Sequence, residues 1–172
     1  VLLLTLRGTP FLYAGEELGL EDAVIPPDRV VDPGGRDGCR APIPWTADPT
    51  HGWATENPWL PFPPDAAARS AASLRADPTS ILHLYRRLLA ERKGSPALAL
   101  GDFRFVDSPD GTLAYRRALG NDNCLVIVNF TGEAVDVDGP HGAIVAISSD
   151  DHGEGRLYTG RVDGDQAVVL RW

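Results

Sequence analysis

Methionine is absent from the 172 residues, position 1 included, and cysteine occurs only twice. A translated reading frame begins with methionine, so we expect this chain to be a piece of a longer protein. Cys39 and Cys124 lie far apart and lack the C-x-x-C or histidine-rich spacing of a metal site or a disulfide framework. The sequence therefore predicts two free thiols and a reducing, cytoplasmic compartment.

Positive charge is scarce, and long apolar segments are missing. The 16 basic residues are outnumbered by 24 acidic residues, which argues against nucleic acid or an anionic membrane as a partner. The apolar opening Val1–Leu6 is too short for a transmembrane span and lacks the basic flank of a signal peptide. The four histidines are isolated from one another, so neither a metal nor a cofactor is expected.

What the sequence does contain is a run dense in proline and glycine from Asp32 to Trp45. This density excludes a regular helix or a central strand and predicts a shaped loop, where binding residues tend to lie. Arg36 and Arg40 lie four residues apart in this loop, with Asp37 between them. A guanidinium presents several donors in one plane, which suits both the hydroxyl groups of a ligand and a neighbouring carboxylate.

Two segments, in order, resemble one family. The segment at 36–45 reads RDGCRAPIPW and resembles the loop after the last barrel strand in α-glucosidases of the α-amylase superfamily (glycoside hydrolase family 13), with departures at Ala41, Ile43 and Pro44. The segment at 8–20 reads GTPFLYAGEELGL and resembles the eighth strand of the same barrel. Because both matches occur in the expected order, the resemblance is more specific than either match alone.

The resemblance implies a fold class of α/β plus all-β, namely the C-terminal end of a (β/α)8 barrel followed by an antiparallel β-sandwich domain. Residues 1–96 are expected to hold the last strand at 9–15, the active-site loop and the last helix of an incomplete catalytic barrel. That helix is predicted to begin with the cap signal Asp77-Pro78, to carry apolar residues at helical spacing and to end at Gly94.

From residue 97 onward the apolar pattern changes to alternation, with turn signals at Pro109-Asp110-Gly111 and Gly120-Asn121. Short strands are predicted at 103–106, 113–116, 124–130, 133–138, 143–148, 156–159 and 167–170. The run at 124–130 is the most β-branched and is predicted to be a central strand. Residues 97–172 are therefore expected to form the β-sandwich domain.

The resemblance also implies which reactive groups this chain lacks. Retaining glycosidases place two carboxyl groups about 5–5.5 Å apart across the scissile bond, and in this superfamily the reactive acids follow the fourth, fifth and seventh barrel strands. We therefore expect these acids upstream of Val1, and no catalytic residue within this chain. The remainder of the catalytic barrel and an oligosaccharide substrate are the expected partners.

Four residues are candidates for the sugar site. The resemblance implies that Arg36 lies at the subsite of the non-reducing glucose and that Arg40 lies near the next subsite or the wall of the site. Asp37 is expected to hold Arg36 in place, and Glu16, beside Glu17 at the end of the strand, to support the site or the local structure. The alternative is that Arg36 and Asp37 form a structural pair that only tethers the loop.

The leading interpretation is the end of a retaining α-glucosidase that removes terminal α-linked glucose from short oligosaccharides. An isomerase or glucosyltransferase of the same superfamily is an alternative, since it differs mostly in residues outside this chain. A non-catalytic barrel homologue associated with a transporter is another alternative. An independent carbohydrate-binding module at 97–172 is less favoured, because only Trp172 and Tyr158 are available for an aromatic platform.

Overall fold

The computed structural model describes every residue from Val1 to Trp172. The chain divides into two compact units, one formed by Val1–Phe11 with Arg86–Trp172 and the other by Leu12–Tyr85. The helices are α1 (Leu2–Thr5), α2 (Ala71–Ala76), α3 (Ile81–Gly94) and α4 (Pro96–Leu100), with short 3-10 helices at Glu16–Leu18, Pro27–Arg29 and Gly38–Arg40. The expected domain boundary near residue 96 stays a prediction.

All β-strands lie in the last part of the chain. They are β1 (Asp102–Val106), β2 (Thr112–Leu119), β3 (Asp122–Asn129), β4 (Val135–Asp136), β5 (Ile144–Ser148), β6 (Arg161–Val162) and β7 (Ala167–Arg171). Five of them form an antiparallel sheet in the order β1-β2-β3-β7-β5, and β4 pairs with β6 in a second sheet. The β-branched run at 124–130 is the central strand β3, as predicted.

β3 is apolar on both faces because both faces are covered. Leu125 and Ile127 belong to one apolar cluster together with residues of β7 and β5. Val162 of the short sheet and Val137, next to β4, belong to the same cluster. Val126, on the opposite face of β3, is also fully buried, and α4 contacts β2 and β3. A strand covered on both faces has a continuous apolar sequence, and that sequence made β3 recognisable.

Arg117 on β2 is fully buried and donates to three backbone carbonyls. Its Nε donates to Asp102 O at 2.8 Å, and its two terminal nitrogens donate to Thr5 O at 2.6 Å and Gly101 O at 3.2 Å. The hydroxyl of the buried Tyr115 also forms a short hydrogen bond with Thr5 Oγ1. Burial lowers the pKa of the Arg117 guanidinium. Backbone carbonyl oxygens therefore accept the hydrogen bonds of this buried guanidinium, which a carboxylate usually accepts.

A second arginine satisfies carbonyls at and beyond the end of α1. The Arg92 terminal nitrogens donate to Leu4 O at 2.9 Å, Leu6 O at 3.2 Å and Gly8 O at 2.7 Å. The last carbonyls of a helix have no partner within the helix, and basic side chains are suited to that end. Arg92 and Arg117 together hold the short helix α1 against the rest of its compact unit.

The predicted strand at 9–15 is not formed. The segment pairs with no strand in the chain, and Phe11, Leu12 and Tyr13 are exposed. An apolar run becomes a strand only beside a hydrogen-bonded neighbour, and all the strands here pair among themselves. The predicted strand at 156–159 is also wrong. This segment forms one isolated bridge, between Ile144 and Leu157, because its few backbone bonds to β5 do not form a continuous ladder.

The long helix ends where predicted and begins later than predicted. α3 runs from Ile81 to Gly94, whereas the carboxylate of Asp77 accepts from the amide and hydroxyl of Thr79 in a preceding turn. This local bond competes with the helical conformation and delays the start. The separate helix α4 was not predicted, although Ser95 caps it and Pro96 occupies its first turn.

Replacing Arg117 by alanine should destabilise the chain. The change leaves buried carbonyls without donors, so we expect the free energy of unfolding to fall by about 2–4 kcal/mol. Urea denaturation monitored by circular dichroism measures this change. The control is Arg104→Ala on the neighbouring strand, where the side chain is 79% exposed and lies 3.9 Å from Asp102. Equal effects of the two substitutions would contradict the role given to Arg117.

Candidate functional site

Asp32, the first residue of the proline- and glycine-rich loop, contacts both of the loop's arginines. Its Oδ2 accepts from Arg36 Nε at 2.7 Å and its Oδ1 accepts from an Arg36 terminal nitrogen at 3.1 Å, which makes a bidentate pair. A terminal nitrogen of Arg40 lies 3.3 Å from the same Oδ2. The Asp32 side chain is only 8% exposed, whereas those of Arg36 and Arg40 are 63% and 45% exposed. Asp32 thus binds the guanidinium groups of both arginines, while both side chains remain exposed to solvent.

Backbone amides also bind the Asp32 carboxylate. The Gly34 amide donates to Oδ1 at 3.0 Å and the Arg36 amide donates to Oδ2 at 3.2 Å. Hydrogen bonds to the charged form favour ionisation. The Arg36 side chain, followed by the Gly34 amide, lowers the pKa of Asp32 to about 2. The carboxylate is therefore ionised at neutral pH, and it raises the pKa of Arg36 in return.

Asp37 does not hold Arg36 directly, and the prediction that it would is corrected. Its Oδ2 accepts from the amides of Val31 and Asp32, at 2.7 Å and 2.9 Å. The Asp37 side chain is buried, and the arginine has turned to Asp32 instead. Asp37 therefore fixes the backbone that carries Asp32, so its support of Arg36 is indirect.

Gly38, at the start of the 3-10 helix Gly38–Arg40, allows a close approach between two parts of the loop. Its carbonyl accepts from the Ala23 amide at 3.1 Å. A Cβ at position 38 would lie 2.8 Å from the Ala23 carbonyl oxygen, which is closer than ordinary side chains permit. Glycine at this position therefore lets the arginine-bearing turn lie directly against residue 23.

Glu16 lines a small pocket, and neither Arg36 nor Arg40 is among the residues that line it. The pocket, about 190 Å³ in volume, is lined by Glu16, Glu21 and Asp22 together with Cys39 and apolar neighbours. Glu16 is exposed on the 3-10 helix Glu16–Leu18. The structure thus brings Glu16 close to the turn at Cys39, and it does not bring Glu16 together with Arg36 and Arg40.

Neighbouring Glu17 has a different environment from Glu16. Its Oε2 accepts from the Gly15 amide at 2.9 Å. Gly15 has a positive φ of 102°, so the backbone turns at the position where a continuing strand would have pointed the two glutamates in opposite directions. Glu17 is therefore engaged in shaping the turn.

Two tryptophans of this unit have their rings largely exposed. Trp45 and Trp59 are 53% and 64% exposed. Trp53 is 43% exposed, but its indole nitrogen donates to Ile43 O at 2.7 Å, and Phe62 packs edge-on against His51. Trp53 and Phe62 therefore anchor the loop, while the other two rings have surface available for an apolar contact.

Potential metal ligands occur at one place in the β-rich unit. Ligand atoms of Asp150, His152 and Asp163 lie within 4.8 Å of one another, and all three residues are exposed. The Asp150 carboxylate already accepts from Ser148 and Gln166. His152 is thus close to two aspartates, of which Asp150 is near it in sequence and Asp163 is brought there by the fold. These contacts alone do not define a metal site.

The family model described as alpha amylase, catalytic domain, matches residues 1–101 of this chain. The chain belongs to the alpha-amylase family. Its fold is therefore the C-terminal end of a (β/α)8 barrel followed by an antiparallel β domain, as predicted. None of its α-helices has the length and apolar content needed to cross a bilayer.

Curated relatives are longer than this chain. A probable alpha-glucosidase of Rhizobium meliloti is 40% identical over 142 residues, which cover 77% of this chain and 26% of that protein. A glucan 1,6-alpha-glucosidase of Streptococcus pneumoniae is 30% identical over 163 residues, covering 80% and 30%. The trehalose synthase/amylase TreS of Mycobacterium tuberculosis is 38% identical over 130 residues, covering 71% and 20%. The chain thus spans under a third of each of these relatives.

Solved structures share the fold over nearly the whole chain. The trehalulose synthase MutB from Pseudomonas mesoacidophila MX-45 is 27% identical with a TM-score of 0.83, covering 99% of this chain and 36% of that one. The alpha-glucosyl transfer enzyme XgtA is 32% identical with a TM-score of 0.81, covering 99% and 34%. Hydrolases and transferring or isomerising enzymes therefore both occur among the relatives.

Sequence reasoning missed Asp32, which makes more contacts with the two arginines than any other residue of the loop. The signal was present, because an aspartate four residues before an arginine, with Pro-Gly-Gly between them, suits a turn that brings the two charges together. Asp37 was preferred because it is adjacent to Arg36. Side chains of adjacent residues point in different directions, whereas a turn brings two side chains four residues apart into contact.

The Asp32–Arg36 pair predicts a stability difference that depends on pH. Because the folded-state pKa of Asp32 is lowered to about 2, its contribution is complete above the unfolded value of about 4 and is lost as pH falls towards 2. Asp32→Asn should therefore lower the melting temperature at pH 7 and have progressively less effect between pH 4 and pH 2. Thermal melts of both chains across this range measure it. A difference that stays constant with pH would contradict the pairing. Asp28→Asn, at an exposed acid of the 3-10 helix Pro27–Arg29 that precedes the loop, is the control.

Proposed function

We propose that this chain forms part of the substrate pocket of a retaining α-glucosidase that removes terminal α-linked glucose from short oligosaccharides. The observation that carries the proposal is the anchored and exposed pair Arg36 and Arg40. Arg36 uses Nε and one terminal nitrogen on Asp32, which leaves the other terminal nitrogen to donate to a ligand. Fixed donors with an open edge suit the hydroxyl groups of a sugar.

The charge balance of the loop favours an uncharged ligand. Asp32 and Asp37 match Arg36 and Arg40 in number, and Glu16, Glu21 and Asp22 line the neighbouring pocket. An anionic ligand, such as a sugar phosphate, requires uncompensated positive charge. A neutral oligosaccharide requires directed hydrogen bonds and incurs no repulsion from these acids.

We assign the reactive carboxylates to a part of the enzyme outside this chain. Retaining hydrolysis uses two carboxyl groups about 5–5.5 Å apart on opposite sides of the bond that is cut. Glu17 is engaged with the Gly15 amide, and Asp32 is engaged with two arginines. In this proposal the remainder of the catalytic barrel is the partner of the chain, and the chain binds and orients the sugar. The two free cysteines accord with a reducing, cytoplasmic location.

A second candidate function is isomerisation or glucosyl transfer. It is favoured by the similarity to a trehalulose synthase, to an alpha-glucosyl transfer enzyme and to a trehalose synthase/amylase. These reactions can share a glycosyl-enzyme step and differ in whether water or a second sugar accepts the glucosyl group. Chromatography of the products from maltose separates the two functions, since a hydrolase yields glucose and an isomerase yields a second disaccharide.

Arg36→Lys in the full-length enzyme should reduce kcat/KM for maltose and isomaltose by about 10- to 100-fold, because the planar pair with Asp32 and the aimed donor are both lost. Steady-state kinetics measure the change, and circular dichroism checks that the variant is folded. Arg75→Lys, at an exposed position on α2, is the matched control and should leave the kinetics unchanged. Wild-type kinetics for the Arg36 variant would refute the assignment of Arg36 to the sugar site.

A further inference from the structure

The two oxygens of Asp32 accept five hydrogen bonds. Three come from the guanidinium groups of Arg36 and Arg40, and two come from the amides of Gly34 and Arg36. A carboxylate offers about four lone-pair sites, so its accepting capacity is used. With its side chain 8% exposed as well, Asp32 has neither the surface nor the free lone pairs to bind a sugar itself.

We infer that Asp32 is a positioning residue, one that acts on the substrate through Arg36 and Arg40. This inference rests on the proposed function, in which the two arginines bind the sugar. The bidentate pair fixes the plane of the Arg36 guanidinium, and with it the direction of the remaining donor. Fixing a donor in advance removes the ordering cost that a flexible side chain would incur on binding.

Asp32 also allows two like charges to share one small region. Arg36 Nε and an Arg40 terminal nitrogen both contact Oδ2, at 2.7 Å and 3.3 Å. Without the carboxylate, the two guanidinium groups would repel each other and turn towards solvent. The loss of Asp32 should therefore disorder the guanidinium groups of Arg36 and Arg40 together. A surface acid that pairs with a single arginine would affect only that arginine.

The loop around Asp32 is shaped to present its carboxylate to Arg36. The Asp32 amide is held by Asp37 at 2.9 Å, and Gly35 turns the chain with a φ of 70°. A Cβ at Gly34 would lie 3.2 Å from Arg36 Nε and 3.3 Å from Asp32 Oδ1. A side chain at position 34 would press on the ion pair itself, so glycine there leaves space for the pair.

The test is a double-mutant cycle in the full-length enzyme, with maltose and isomaltose as substrates. Asp32→Asn keeps the size of the side chain and removes its charge, and it should lower kcat/KM by about 10-fold or more. In an Arg36→Lys background the same substitution should cost about 3-fold or less, because the bidentate pair is already gone and only the single 3.3 Å contact with Arg40 remains. Asp32→Glu keeps the charge and should recover part of the loss. Asp28→Asn, at an exposed acid of the 3-10 helix Pro27–Arg29 that precedes the loop, should leave kcat/KM unchanged.

Each outcome bears on one of the two claims. If the effects of Asp32→Asn and Arg36→Lys multiply, Asp32 does not act through Arg36 and this inference is overturned, while the proposed function stands. If Arg36→Lys alone has no effect, the proposed function fails. If Asp32→Asn does not fold, the same cycle is run with Asp32→Glu, whose displaced carboxylate should again matter only when Arg36 is present.

Discussion

Side-chain carboxylates take the place of a hydrogen-bonded ladder in residues 12–85, where the chain has no β-strand. Asp32 gathers two arginines and two amides, Asp37 accepts from two further amides, and Asp48 accepts from the amide of Thr50. The pKa of Asp48 is lowered to about 2, by hydrogen bonds from Thr46 and Thr50. Carboxylate side chains therefore define the backbone path in this unit. Two of these carboxylates, Asp32 and Asp37, match Arg36 and Arg40 in number.

The β-rich unit is held by a different interaction. Apolar residues of both sheets form its core, and the arginines Arg92 and Arg117 donate to backbone carbonyls. Carboxylates contribute here as well, because Asp122 accepts from the Ser95 hydroxyl, the Ala97 amide and Arg171. The chain thus combines a β-rich unit built on an apolar core with a loop unit whose carboxylates bind the backbone and two arginines. Binding residues on shaped loops are the usual arrangement in barrel enzymes.

Sequence reasoning succeeded where a signal was local. The β-branched run of β3 and the glycine that ends α3 each depend on neighbouring residues alone. It failed where the outcome depended on which groups meet through space. Asp32 and Asp37 are both near Arg36 in sequence, and only the path of the turn decides between them. The segment at 9–15 has the composition of a buried strand, but composition does not supply the neighbour that a strand needs.

A crystal structure of the full-length enzyme with a bound, uncleaved glucoside tests the central claim most directly. The account predicts that a terminal nitrogen of Arg36 donates to a sugar hydroxyl while its Nε and second terminal nitrogen stay on Asp32. It also predicts no contact between the sugar and the Asp32 carboxylate. A sugar bound in the barrel with Arg36 out of hydrogen-bond reach, or with Arg36 released from Asp32 and the sugar on the carboxylate, would contradict it.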